Sequence, residues 1–247
     1  MERFKDHFSS VASEYARHRP GYPPELFAFL ASLPARRERA WDCATGNGQA
    51  AVGLAAHFRR VVGSDASLEQ LARAQRAPGV AYWRALAERT GLRDGVVDMA
   101  TSAQGVHWFD FGAFWAEVRR VLVPGGCVAV WTSYTTQVAP AVDAVLERFR
   151  ERVHDYWPPE RRWVEEQYRT LPFPFAEIAA PEFAVREEWN LDRLLGYLGT
   201  WSASRRYREL SGEDPVALAR AELAAAWGDP SRRRLVRQPI HLRVGRV

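Results

Sequence analysis

The sequence predicts an α/β fold: a doubly wound, mostly parallel seven-stranded sheet with an antiparallel C-terminal edge strand and a helical insertion. Three observations predict it. Short apolar segments alternate with helix-patterned stretches through the first half, and they are apolar enough to be covered on both faces, as parallel strands are. A glycine turn, "WDCATGNGQAA" at residues 41–51, joins the first such segment to a helix. The last hundred residues then break the alternation with helices and two late strands.

The elements follow in order. Up to about Leu33 the pattern gives two helical segments separated by "RHRPGYPP", where Pro20, Pro23 and Pro24 remove donors and restrict their neighbours. "RAWDC" is the first strand, followed by the glycine turn and a helix from Gln49 to His57. "RRVVGSD" is the second strand and ends at Asp65. A helix from Ser67 to Arg76 follows, with Ser67 as its N-cap. "GVAYW" and "GVVDMATSA" are the third and fourth strands. Phe111, Phe114, Trp115, Val118, Val121 and Leu122 recur at helical spacing, so a helix spans Phe111 to Leu122. "PGG" at 124–126 stops it, and "CVAVWTSY" is the fifth strand. Val138 to Thr170 reads as helical, "FAVREEW" as a strand, "LDRLLGYLGTW" and Pro215 to Trp227 as helices, and "IHLRVGRV" as a closing strand.

With no internal repeat or low-complexity linker, the 247 residues are expected to form a single domain. Within it, residues 1–37 would be N-terminal helices, 38–135 a ligand-binding core, and 136–247 the insertion and late strands. The composition, 47% hydrophobic and 26% charged, is that of an ordinary soluble protein. There is no apolar run of the ~20 residues a membrane helix needs, and "MERFKDHFSS" lacks the apolar core of a signal peptide. A cytoplasmic location without membrane association is therefore expected. Lys5 is the one lysine, so the net charge of +4 is arginine spread along the chain rather than a basic stripe, and no nucleic-acid partner is expected. The arginine runs at 205–208 and 232–234 read as solvated helix faces. Cys43 and Cys127 provide neither a disulfide framework nor a metal cluster, so no metal is expected.

The glycine turn admits two ligands. Gly46-Asn47-Gly48-Gln49-Ala50-Ala51 fits the dinucleotide pattern G-x-G-x-x-G/A, and Asp65 stands 19 residues beyond Gly46, where a ribose-binding acid belongs. That reading makes the protein an NAD(P)-dependent oxidoreductase. Against it stand the long lead before the first strand, the late strands, and Asp42, a carboxylate a pyrophosphate would avoid. The other ligand is S-adenosylmethionine. A strand-end carboxylate suits its ammonium and sulfonium charges, turn amides and a helix N-terminus suit its carboxylate, and Asp65 suits its ribose hydroxyls.

Several segments carry a resemblance. "DCATGNGQ" resembles the first motif, D-x-G-x-G-x-G, of the class I S-adenosylmethionine-dependent methyltransferases, and "VVGSDAS" resembles their second. "LAERTGLRDGVVDMATSAQGVHWFD" is similar to the third and fourth, and "EVRRVLVPGGCVAVW" to the helix and strand that follow. "YARHRPGYP" and "TWS" are similar to a branch that includes trans-aconitate methyltransferase-like proteins. The resemblance implies S-adenosylmethionine as cofactor, bound by Asp42, Ala44, Gly46, Gly48 and Asp65, with Ala66 and Leu86 flanking the adenine and Ala87 at its edge. It places Gln104 beside the sulfonium, and Tyr15 and Arg19 in a lid over the methionine end. Ala44 departs from the pattern, which has glycine there, and keeps open a non-catalytic binding module of degenerate methyltransferase fold. "SAQG" after the fourth strand differs from the N-P-P-Y type of nucleic-acid amino-methyltransferases. The acceptor is thus expected to be a small molecule, a carboxylate or an aromatic hydroxyl, in a Trp-, Tyr- and Arg-rich pocket beside residues 138–201. His107 is the candidate catalytic residue, a base if the acceptor is a hydroxyl. A monomer or homodimer is expected.

Overall fold

Strand β1 (Arg39–Cys43) has Ala40, Trp41, Asp42 and Cys43 all buried, and β4 (Val97–Ala103) is buried from Val97 to Ser102. Strands covered on both faces belong in the middle of a parallel sheet, and the structure, a computed structural model describing residues 20–247, places them there. With β2 (Arg60–Asp65), β3 (Val80–Arg84), β5 (Leu122–Thr132), β6 (Ala176–Glu177), β7 (Phe183–Trp189) and β8 (Arg234–Arg246), the sheet order is β3-β2-β1-β4-β5-β8-β6. β1 to β5 pair in parallel, and β8 runs antiparallel to β5, β6 and β7.

Helices cover both faces. On one side α1 (Pro24–Ser32) and α2 (Gln49–Ala55) bury Leu26, Leu30 and Leu54 with Met99, Trp131 and Ile240 of the sheet. α3 (Leu68–Ala72) follows β2, and Ser67 Oγ caps it by accepting from the Gln70 amide at 3.3 Å. On the other side α4 (Phe111–Val121), capped by Asp110, buries Phe114, Trp115, Val118 and Val121 against Trp41, Val128 and Val130. The helical additions are α5 (Pro140–Arg152), α6 (Arg161–Glu165), α7 (Leu191–Gly199), α8 (Ser202–Ser211) and α9 (Pro215–Trp227). Among them α5, α7 and α9 share a second core of Leu146, Phe149, Leu194, Leu198, Leu223 and Trp227.

Four details differ from the sequence reading. Pro124, Gly125 and Gly126 lie inside β5, because Gly125 donates to Val247 O at 3.1 Å and Val247 donates to Gly126 O at 3.0 Å, drawing the segment into the sheet. The terminal strand begins at Arg234, six residues before Ile240: its first half pairs with β7 and its second with β5. Arg232 and Arg233 lie in a turn and Arg234 opens β8, so this run is no helix face. α9 has ended at Gly228 (φ 78°), and Arg234 Nη2 caps it by donating to Trp227 O at 2.7 Å. Finally, the helical pattern of 138–170 is broken into α5, a short 3-10 turn and α6. The arginines at 205–208 do lie on a helix, α8.

Candidate active site

The C-terminal ends of β1, β2, β4 and β5 converge where the strand order reverses, the crevice in which open α/β sheets bind ligands. Asp42 is fully buried there. Thr45 Oγ1 donates to it at 2.6 Å and Thr101 Oγ1 at 2.9 Å. Burial pushes its pKa up to about 6 from an ordinary 3.8, and the charge of Asp65 adds to this, while the two hydroxyls oppose it. A carboxylate held in this state gains from a cation beside it.

Next comes a turn built of left-handed residues: Ala44 (φ 51°), Gly46 (φ 55°) and Gly48 (φ 82°). Gly48 caps α2, and a Cβ there would sit 2.3 Å from Tyr82 Oη, so the turn admits no larger residue at that point. Ala44 takes a conformation that costs an L-residue roughly 1–2 kcal/mol. Its methyl is accommodated by Gly105, where an added Cβ would lie 2.8 Å from Ala44 Cβ. The missing glycine of the motif is thus offset across the cleft. Asn47 Nδ2 is buried in this turn with no hydrogen-bond partner among the described residues.

Asp65 closes β2. Its Oδ2 accepts from the Gly46 amide and its Oδ1 from the Ser67 amide, both at 2.9 Å. Both carboxylate oxygens are thereby fixed between the glycine turn and the start of α3. Ala85 donates to Asp65 O at 3.1 Å, which brings the end of β3 against this site. Leu86 there and Leu68 on α3 are 53% and 55% exposed, leaving apolar surface that a planar base would cover. Arg84 Nε donates to the Ala66 carbonyl at 3.0 Å. Ala87 points into the core with Cys43, Ala100 and Phe114, and Glu88 accepts from the Asp110 amide at 3.1 Å.

Gln104 follows β4 in a left-handed conformation (φ 59°), with Oε1 accepting from Thr132 Oγ1 at 2.8 Å. From it opens a cavity of about 70 Å³ lined by His107, Tyr134, Trp157, Arg161 and Trp201, among others. A second space of about 270 Å³ shares Tyr134, Trp157 and Arg161 with the first. The Arg161 guanidinium lies 4.0 Å over the Trp157 ring and 5.4 Å over the Tyr134 ring. His107 is buried, and its Nδ1 is 2.8 Å from Tyr168 Oη. Burial, and then the charge of Arg161, push its pKa down to about 3.

The structure therefore brings Asp42, Ala44, Gly46, Gly48, Asp65, Ala66, Leu86 and Gln104 to one crevice with His107 beside it, and turns the Ala87 side chain away. Tyr15 and Arg19 lie outside the described residues. Sequence reasoning missed Thr45, Thr101, Tyr82, Gly105 and Tyr168. Thr45, three residues after a strand-end aspartate, carried a local signal; the others are joined to the site only by tertiary contact. Among the described residues there is no cluster of side chains able to hold a metal, and no helix is long and apolar enough to cross a membrane.

The residues fit S-adenosylmethionine: a carboxylate in need of a cation, an orphaned amide donor, an aspartate fixed at the end of the second strand, and apolar surface at Leu68 and Leu86. Comparison with known proteins agrees. Residues 41–130 match the family model described as a methyltransferase domain. The solved structure of a candidate type II methyltransferase from Anaeromyxobacter dehalogenans is 48% identical, covering 92% of this chain and 97% of that one, with a TM-score of 0.87. A candidate methyltransferase of Dictyostelium discoideum is 28% identical over 230 residues, 91% of this chain and 88% of that protein. An uncharacterized methyltransferase of Mycobacterium tuberculosis is 37% identical over 128 residues, 51% of this chain and 52% of that protein. The antiparallel β8 beside β5 also departs from the nicotinamide-binding strand order, and the dehydrogenase and degenerate-module readings fall away. The chain belongs to the class I S-adenosylmethionine-dependent methyltransferases.

Proposed function

We propose that this enzyme methylates an oxygen of a small acidic or aromatic molecule, a carboxylate or an aromatic hydroxyl. The observation that carries the reading is the cavity at Gln104, whose aromatic wall holds one guanidinium, Arg161, stacked on Trp157. A flat apolar body suits the rings, and an anionic or polar oxygen suits the cation.

In this reading the cofactor contributes an already activated methyl group, and the protein's work is binding and orientation. Asp65 takes the ribose hydroxyls, Ala66 and Leu86 flank the adenine, and the Ala87 backbone meets its edge. Asp42 balances the ammonium and sulfonium, with Ala44, Gly46 and Gly48 forming the turn around the methionine end and Gln104 beside the sulfonium. Tyr15 and Arg19 belong to a lid over that end, which excludes water from the transfer. Residues 136–247 form the acceptor side of a single domain, and Trp201 of "TWS", in the cavity wall, favours the trans-aconitate methyltransferase-like branch.

The test is a turnover assay of the purified protein with S-adenosylmethionine and a panel of aliphatic and aromatic carboxylates and phenols, reading release of S-adenosylhomocysteine. Turnover of members of the panel, lost in Arg161→Gln, is expected. Methylation of nucleic acid or protein alone, with the panel untouched, would refute the reading. For the lid, amides around Tyr15 to Arg19 should gain hydrogen-exchange protection on adding S-adenosylhomocysteine; equal protection removes both residues from the site.

A further inference from the structure

Asp42, Gly63 and Tyr82 stand in register on β1, β2 and β3, so they share one face of the sheet. The middle position carries no side chain, and the Tyr82 ring lies across it. A Cβ at Gly63 would meet Cδ1 and Cε1 of that ring at 2.6 Å and Thr45 Oγ1 at 2.9 Å. The ring therefore leans from the edge strand over Gly63 toward Thr45, whose hydroxyl donates to Asp42. Its far end reaches Gly48, where a Cβ would lie 2.3 Å from Oη and 3.0 Å from Cζ. Two glycines on different elements thus leave room for one phenol.

The phenol is anchored as well as packed. Oη donates to the Gln75 carbonyl at 2.7 Å, and the Gln75 amide donates to the Asn47 carbonyl at 2.9 Å. The Gln75 backbone bridges Tyr82 to Asn47, while the ring itself meets the next residue, Gly48. The glycine turn is held at two consecutive residues by one side chain. Burial, and then the charge of Asp42, push the Tyr82 pKa up to about 12, so the hydroxyl keeps its proton and donates throughout the neutral range.

We propose that Tyr82 is a positioning residue for the amino-acid tail of the methyl donor: it braces the glycine turn from the edge strand and fixes the aim of the turn's amides and of the Thr45–Asp42 pair. This role rests on the placement, given above, of the methionine end of S-adenosylmethionine at this turn. Ala44, Gly46 and Gly48 all take left-handed φ, and glycines bring backbone freedom with them. Freedom that must be lost on binding is subtracted from affinity, so a turn of this kind holds a charged tail well only when its surroundings have already fixed it. Tyr82 supplies that constraint through Gly48 and Gln75. The ribose anchor has a separate hold, the Ser67 amide donating to Asp65 Oδ1 at 2.9 Å, so loss of the brace falls on the tail.

Calorimetry with two ligands tests this: S-adenosylhomocysteine, which carries the amino-acid tail, and methylthioadenosine, which lacks it. Tyr82→Phe removes the bond to Gln75 and keeps the ring. It should weaken S-adenosylhomocysteine by about three- to tenfold, the range of one net hydrogen bond, and leave methylthioadenosine within about twofold. Equal weakening of the two ligands, as a general loosening of the fold gives, overturns the proposal, and so does unchanged affinity for both. Gly63→Ala keeps the hydroxyl and displaces the ring with a methyl, and the same tail-selective loss is expected. Unaltered affinities there would show that the ring can move without disturbing the turn, which also overturns the proposal. Tyr82→Phe preserves the packing and should melt close to wild type, so it decides the question whether or not Gly63→Ala folds. Wild-type protein that binds S-adenosylhomocysteine no more tightly than methylthioadenosine would refute the placement of the tail at this turn, and the role of Tyr82 with it. Tail-dependent binding by wild type, with no selective loss in Tyr82→Phe, strikes the Tyr82 proposal alone.

Discussion

Replacing Asp42 by asparagine should make the ligand-free protein relatively more stable at alkaline pH while crippling cofactor binding. Asp42 is fully buried, and its pKa stands near 6 against an ordinary 3.8. A carboxyl whose folded pKa is raised contributes stability that is fully present below the unfolded pKa and is lost as pH rises through the folded one. At 1.36 kcal/mol per pKa unit the full contribution is about 3 kcal/mol, and the part lost between pH 5 and pH 8 is about 1.4 kcal/mol. The asparagine variant does not titrate and keeps its contacts with Thr45 and Thr101 as a neutral group. Urea unfolding of both proteins at pH 5 and pH 8 isolates the term: the variant should gain about 1.4 kcal/mol on the wild type across that interval. Cofactor binding runs the other way. A cationic ligand pulls Asp42 into its charged form, so wild-type affinity for S-adenosylhomocysteine, whose ammonium remains, should weaken as pH falls below about 6. The variant should bind at least about tenfold more weakly at pH 8, a loss of ~1.4 kcal/mol. A stability difference that is flat with pH, or a variant that binds normally, would refute the account of Asp42 as a strained carboxylate awaiting a cation.

Further outcomes follow from the same geometry. Asp65→Ala removes the acceptor held by the Gly46 and Ser67 amides, and calorimetry should show cofactor affinity weakened by about 1.5–3 kcal/mol in a folded protein; unchanged affinity would remove Asp65 as ribose anchor. Ala44→Gly should leave cofactor affinity within about tenfold, and a gain well beyond that would mean the native turn is impaired. Gly105→Ala should destabilise the protein by about 1–3 kcal/mol through overpacking against Ala44, and Ala44→Gly should recover part of that loss. Strict additivity in this cycle would show that the two positions do not compensate. Gly48→Ala combines a left-handed φ with a Cβ 2.3 Å from Tyr82 Oη, so thermal melting should show a loss of more than about 1 kcal/mol; a neutral effect would contradict the tightness of this turn.

The sequence by itself determined the sheet core and the strand-turn-helix-strand unit of the candidate cofactor site, because both are local. Strands β1 to β5 announce themselves as apolar runs, α4 by its helical period, and Asp42, Gly46, Gly48 and Asp65 by spacing along a single strand-turn-helix-strand unit. Even the departure at Ala44 was visible, though not what makes it tolerable. Only the tertiary structure showed that Gly105, some sixty residues away, makes room for the methyl. It also decided the ends of elements: β5 takes in Pro124 to Gly126 because the C-terminal residues pair with them, and β8 starts early because β7 lies beside it. The acceptor side was least legible. Tyr168 reaches His107 across 61 positions, and Arg161 stacks on rings from two different segments. A periodic pattern reports which face of an element is buried, and a motif reports a turn. Neither reports which distant side chain fills the space opposite, which is set by packing of the whole chain.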